Sequence, residues 1–260
     1  MSENLLLTEE ADGVLTLTLN RTDVHNALNK PLLLALSAKL EEIAPRQDIR
    51  CVIIAGSGEK AFCAGADLKE RKGFTMEQTR SFVRKIRGVM DQIERLPMPT
   101  IAALDGVAFG GGMEMALACD MRVLSERVKM GLTECALGII PGAGGTQRLP
   151  YLVGASKAKE LIFTAKRMTA QEAHELGLAN RLVPAGEALK AAQDLASEVA
   201  ACAPIAVQSA KAAIQGGLGV GMEEGLLLEA RCYEVTLYTD DRNEGLRAFA
   251  EKRKPNYKGV

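Results

Sequence analysis

Two glutamates stand among apolar residues and beside glycine clusters. Glu114 lies in GGGMEMALAC, residues 110–119, in the first turn of what reads as an apolar helix. Glu134 lies in KMGLTECALGIIPGAGGTQR, between Leu132 and Ala136 and just before a glycine-rich loop. A carboxylate among such neighbours is costly unless something compensates. Two of them in one dry pocket can have their pKa values pushed apart, so that one serves as base and the other as acid. Each also has an ordinary structural explanation. A helix dipole favours Glu114 at an N-terminus, and Glu134 can be a solvent-facing loop residue. Sequence spacing does not by itself bring the two together.

The glycines add a second kind of chemistry. Gly110, Gly111 and Gly112 allow close approach of the backbone and leave N–H groups unpaired at a helix start. Such groups hold a phosphate or a developing oxyanion. Ala64-Gly65-Ala66-Asp67 is a similar tight turn that can supply another N–H. Simple chain reversal explains either turn taken alone. GAGGTQ is not a dinucleotide fingerprint, because Gln147 fills the place of its last glycine. With His25 and His174 the only histidines, and no CxxC, no metal site is expected. Cys51, Cys63, Cys119, Cys135, Cys202 and Cys232 read as reduced cysteines, mostly in apolar runs. Cys119 and Cys135 flank the two glutamates, but no base is present to activate either thiol.

The elements that must position these residues follow from periodicity. VLTLTLN (Val14 to Asn20) alternates as a strand, and PLLLALSAKLEEIA is helical with Pro31 near its first turn. CVIIAGSG reads as a buried parallel strand, and AFCAGADL as a second short segment that stops at a glycine turn. A long amphipathic helix over MEQTRSFVRKIRGVMDQIERL ends at Pro97 and Pro99. PTIAALDGVAFG is extended, GGGMEMALAC helical, MRVLSERVKMGL strand-like at both ends, and GIIPGAGGTQRLP a loop. SKAKELIFT, TAQEAHELGL and the stretches 187–201, 205–214 and 223–236 are helical, with ANRLVP the one late strand. The glycines from 216 to 221 mark a joint. Strand and helix therefore alternate over the first part of an α/β chain whose last part is helical.

The chain has 260 residues, 47% of them hydrophobic, enough for one large domain or two small ones. A net charge of -1 and the absence of Trp argue against a dedicated nucleic-acid binder with base-stacking platforms. The acidic start MSENLLLTEEADG matches neither a signal nor a transit peptide, and no apolar run is long enough to cross a bilayer. A cytoplasmic enzyme, or the mature form of an organellar one, is expected.

FCAGADLKE, IAALDGVAFGGGMEMALACD, MGLTECALGIIPGAGGTQRLP and the ending AFAEKRKPNYKG together resemble the crotonase, or enoyl-CoA hydratase/isomerase, superfamily. The likeness runs from LNRTDVHNALN to the last residues. GADLKER and KMGLTECALGIIPGAGGTQRLP most resemble its AU-rich-RNA-binding methylglutaconyl-CoA hydratase group. The resemblance implies a crotonase-type spiral of ββα units over residues 1–200, holding a CoA-thioester site. It implies a helical region over 201–260 that builds a homotrimer or a dimer of trimers. The substrate would be an acyl-CoA thioester, with coenzyme A part of the substrate and no separate cofactor. The N–H groups of Ala66 and Gly111 would form the oxyanion hole. Glu114 would be the base for water and Glu134 the proton donor to C2. Ala64, Gly65, Asp67 and Leu68 would lie along CoA through their backbone. Tyr233 and Lys252 match CoA-contacting positions, in their own or a neighbouring subunit; a packed aromatic and a solvated lysine explain them equally well.

The implied function is an enoyl-CoA hydratase, with 3-methylglutaconyl-CoA of leucine breakdown one candidate substrate. A substrate carboxylate of that kind could meet Arg71, Lys72, Arg80, Arg84 or Lys85. The alternatives are an enoyl-CoA isomerase and an RNA-binding protein with residual hydratase activity. Family isomerases commonly work with one carboxylate, so the pair favours hydration. The RNA reading needs a comb of cations on one helix face, and NKPLLLALSAKLEE offers only Lys30 and Lys39.

Overall fold

The acidic start contributes a strand that its sequence does not announce. In the computed structural model, which describes residues 4–260, β1 (Leu6–Ala11) and β2 (Val14–Leu19) form an antiparallel hairpin. Asp12 and Gly13 make its two-residue turn, both at positive φ, which suits the twist of the flanking strands. β1 is an edge strand with five of its six residues exposed, so it carries almost no apolar signal.

From β2 the chain winds in a spiral. α1 (Lys30–Ile43) leads to β3 (Cys51–Gly56) and β4 (Ala61–Cys63), then α2 (Leu68–Arg71) and α3 (Met76–Arg95). β5 (Thr100–Leu104), β6 (Val107–Phe109) and α4 (Gly111–Ala118) make the next turn, and β7 (Met121–Ser125) and β8 (Lys129–Gly131) open another. In each ββ pair the first strand joins a six-stranded sheet, ordered β1-β2-β3-β5-β7 and closed by a late strand. The second strand joins a smaller sheet in which β4, β6 and β8 run parallel. The expected ββα spiral is therefore present.

The next expectation needs correction. GIIPGAGGTQRLP is only half loop: α5 (Gly145–Val153) starts inside it. α6 (Ala155–Phe163), the two-residue β9 (Met168–Thr169), α7 (Ala170–Glu175) and β10 (Arg181–Val183) follow. β9 completes the small sheet and β10 the large one. α8 (Ala188–Ala200), α9 (Pro204–Gly217), α10 (Met222–Leu237) and α11 (Asp240–Ala250) finish the chain.

The pleat explains why CVIIAG is apolar throughout. Cys51, Ile53 and Ala55 of β3 face Ala188, Ala192 and Ala196 of α8, while Val52 and Ile54 face the main core with Leu17, Leu36 and Phe62. Both faces of the sheet are covered, as parallel strands require. α3 opens with a capping box between Thr75 and Gln78 and stops before Pro97.

α9 is fastened to the core by a charge. Lys211 Nζ donates to the Met98 carbonyl at 3.1 Å and pairs with Asp120 Oδ2 at 2.8 Å. Asp120 also accepts from the Thr100 N–H, the Thr100 hydroxyl and Gln215. The carboxylate just after α4 is thus a structural knot, and it satisfies a lysine that would be expensive to bury alone.

Candidate active site

Two turns meet at the N-terminus of α4. At the first, Leu28 takes both bridging bonds, donating to the Gly65 carbonyl and accepting from the Asp67 N–H, each within 2.9 Å. That pattern turns the Ala66 N–H, which lies between them, to the opposite side. Asp67 caps α2 through Lys69 and Glu70 and pairs with Arg21 at 3.1 Å, so its side chain braces the turn rather than lining the cavity. Arg21 also holds the Ala27 carbonyl, which ties the HNAL segment to the same turn.

The second turn is Gly110, which donates to the Gly131 carbonyl of β8 and leads into α4. As first residue of α4, Gly111 has no intrahelical acceptor for its N–H. Among the described residues neither Ala66 nor Gly111 donates to a backbone or side-chain acceptor. A Cβ built on Gly111 would lie 3.8 Å from the Ala66 nitrogen, so the two turns come close together here.

Glu114 is one turn further along α4 and only 3% exposed. Its Oε1 accepts from the Ala143 N–H at 2.7 Å and the Gly145 N–H at 3.0 Å. Burial pushes its pKa up, while those two amides and the Arg148 guanidinium oppose the shift. Glu134 opens a single 3₁₀ turn, Glu134–Leu137, and faces the same space. Its Oε2 is buried without a hydrogen-bond partner among the described residues. Burial first, and the charge of Glu114 second, push its carboxyl up to about 7. The pair is therefore electrostatically coupled: Glu114 is the more buried but accepts from two amides, whereas Glu134 Oε2 has no such partner, so Glu134 is the more readily protonated.

These groups line a cavity of about 630 Å³ with a mostly apolar wall. Ala64, Gly65, Ala66, Leu68, Gly110, Gly111, Glu114 and Glu134 all contribute to it, so the fold gathers residues from both sequence clusters. Val83 and Ile86 of α3, and Ile139 and Ile140 of the loop after the Glu134–Leu137 turn, form apolar wall. Of the five candidate cations Arg71 reaches this lining, whereas Lys85 lines a different groove between α1 and α3. Tyr233 on α10 and Lys252 after α11 are exposed and do not line the cavity of their own chain. Arg167 is a lining residue that sequence reasoning misses. Its guanidinium lies over the Phe109 ring, 5.0 Å from the centroid, and both line the cavity. In the sequence it is one of two adjacent cations ahead of a two-residue strand, which gives no sign of direction. Among the described residues no His, Cys, Asp and Glu group is arranged to hold a metal ion.

The whole chain has known relatives. Residues 9–260 match the family model described as enoyl-CoA hydratase/isomerase. A mitochondrial methylglutaconyl-CoA hydratase of Mus musculus is 48% identical over 257 residues, covering 97% of this chain and 82% of its own length. An enoyl-CoA isomerase/hydratase, fer4, of Mycosarcoma maydis is 44% identical, covering 96% of this chain and 94% of its own. The crystal structure of an enoyl-CoA hydratase from Bacillus anthracis superposes with a TM-score of 0.97 at 48% identity, covering 99% of this chain and 100% of that one. The spiral, the paired turns and these likenesses agree: the chain belongs to the enoyl-CoA hydratase/isomerase family, and its fold is the crotonase fold.

Proposed function

We propose that the protein adds water across the C2=C3 double bond of a 2-enoyl-CoA thioester. The observation that carries this reading is that Glu114 and Glu134 face one cavity beside the free N–H groups of Ala66 and Gly111. The thioester oxygen accepts from those two N–H groups, which makes C3 electrophilic and stabilises the enolate that forms. Glu114, held by two amides, takes a proton from water as its oxygen bonds to C3. Glu134 gives a proton to C2, and its elevated pKa suits that task. In this reading coenzyme A enters as part of the substrate and no separate cofactor is invoked. An isomerase would shuttle one proton between carbons and needs only one carboxylate. Mass analysis of the product from crotonyl-CoA distinguishes the two: gain of one water is expected, and a shifted double bond at unchanged mass refutes hydration.

The acyl group we favour carries a distal carboxylate, as in 3-methylglutaconyl-CoA. Arg71 lines the cavity, and no acidic side chain forms an ion pair with it among the described residues. Arg71→Met is expected to lower kcat/KM for 3-methylglutaconyl-CoA while leaving crotonyl-CoA hydration near wild type. Equal losses on both thioesters would remove this specificity. RNA is not the favoured partner: Lys30 sits over the Phe74 ring and Lys39 pairs with Glu42, leaving no cationic row on α1.

We further propose a homotrimer, alone or stacked in pairs. α10 and α11 expose Leu226, Leu227, Val235, Leu246 and Phe249, an apolar surface of the kind a subunit contact covers. We assign Tyr233, on the same helical region, and Lys252, just beyond it, to contact with the CoA of a neighbouring subunit. Sedimentation equilibrium is expected to give a multiple of three chains, and a monomer would exclude this assembly.

A further inference from the structure

The glycine-rich loop ahead of α5 resembles an anion-binding loop, and the anion it holds is a side chain of its own protein. Both Ala143 and Gly145 direct their N–H groups at Glu114 Oε1. The other carboxylate oxygen takes neither bond and is left for the cavity side. Arg148 sets the shape of this loop. Its Nη1 donates to the Ala143 carbonyl at 2.9 Å. Its Nε and Nη2 grip Glu94 at 3.0 and 2.7 Å, and Nη2 also reaches Asp91 at 3.0 Å, both on α3. The side chain is only 11% exposed, so this is a preorganised fork rather than a solvated surface pair. Gly144 fits the same design. Its φ is +107°, and a Cβ there would collide with the Arg148 guanidinium.

We propose that Arg148 is a positioning residue for Glu114: through the Ala143 carbonyl it fixes the loop whose two amides orient that carboxylate, and it anchors the loop to α3. The inference rests on the reading of Glu114 as the base that takes the proton from water. Its physical content is geometric, since a misplacement of about 1 Å at a reacting group can cost about 100-fold in rate. It is also electrostatic. The charged groups facing Glu114 are Glu134 across the cavity and Arg148 behind the loop, with Asp91 and Glu94 on the far side of the guanidinium and Arg71 and Arg167 on the cavity lining. Arg148 is the cation that draws the Glu114 pKa down against burial.

Steady-state hydration of crotonyl-CoA across pH by the wild type, Arg148→Met, Arg148→Lys and Glu114→Gln tests this. Arg148→Met is expected to lose about 10- to 100-fold in kcat with KM little changed, and the acidic limb of its pH profile should move to higher pH. Arg148→Lys keeps the charge without the fork, so it should hold the limb near wild type and recover only part of kcat. Wild-type kcat in Arg148→Lys overturns the role of the fork, even if Arg148→Met does not fold. A rate loss in Arg148→Met with an unmoved limb reduces the residue to a general structural support and also overturns the proposal. Glu114→Gln separates the two levels. If it is inactive while Arg148→Met is unperturbed, only this inference fails. If it turns over at wild-type rate, the catalytic reading fails and takes this role with it.

Discussion

Replacing either Glu114 or Glu134 with glutamine is expected to reduce kcat for hydration by about 100- to 10,000-fold, the range typical of a lost general acid or base. Glutamine keeps the size of each side chain and removes its proton chemistry. The two variants should nevertheless differ. Glu134 is pushed up partly by the charge of Glu114. In Glu114→Gln that charge is gone, so Glu134 should titrate lower than about 7 while remaining above its ordinary 4.5, because burial is the larger cause. Carboxyl-carbon NMR of the variant reads this directly. An unchanged Glu134 titration would mean that the two groups are not coupled, and full activity in either variant would sink the two-carboxylate mechanism.

The same residue makes a prediction about stability. The folded state holds the Glu134 proton up to about 7, whereas the unfolded chain releases it near 4.5. Between those values the folded state binds more protons, so this group lowers wild-type stability progressively as pH rises through the window. Glu134→Gln removes that contribution. Its melting temperature should exceed the wild type's by a margin that grows from about pH 4.5 to about 7 and then levels off. Such a gain alongside a catalytic loss is the behaviour expected where function maintains a destabilising charge.

The anomalies that point to the site are residues that violate their local context. A carboxylate inside GGGMEMALAC and another inside LTECALG stand out because burial of charge is costly anywhere, and the structure puts both on one cavity. The turns at Ala66 and Gly111 are legible for a similar reason, since glycine clusters before a helix mark exposed amides. What stays hidden belongs to residues that look ordinary alone. Arg148 stands in a segment that reads as a glycine-rich loop, and its acceptors Asp91 and Glu94 are 57 and 54 residues away in the chain. LLTEEA becomes β1 because β2 offers it an edge, although its own pattern is mostly exposed and polar. The side chain of Asp67 serves Arg21, 46 residues away in the chain, as well as the start of α2. In each case tertiary contacts decide what local periodicity leaves open.

Gly112→Ala is expected to lower kcat by about 100- to 1,000-fold, the cost of losing an oxyanion donor in other enzymes, although residue 112 offers no group to the substrate. The reason is space, not backbone conformation: Gly112 lies inside α4, where alanine is normally the better residue. A Cβ there would collide with the Cys63 carbonyl oxygen and stand 2.8 Å from its carbon and 2.9 Å from the Cys63 Cβ. These are atoms at the end of β4, so no flexible side chain can swing away. Either α4 or β4 must move. Gly111 precedes the new methyl by one residue and Ala66 follows Cys63 by three, so the displacement separates the two N–H donors that must converge on one oxygen. Glu114 would shift with the helix. Overpacking of this kind typically also costs about 1–3 kcal/mol of stability, readable by chemical denaturation. Gly88→Ala is the matched control, because it lies in α3 where a new Cβ would meet nothing within 4 Å. It should keep wild-type kcat and gain about 0.5–1 kcal/mol from helix propensity. Wild-type turnover by Gly112→Ala would show that the contact of α4 with β4 does not set the geometry of the oxyanion hole.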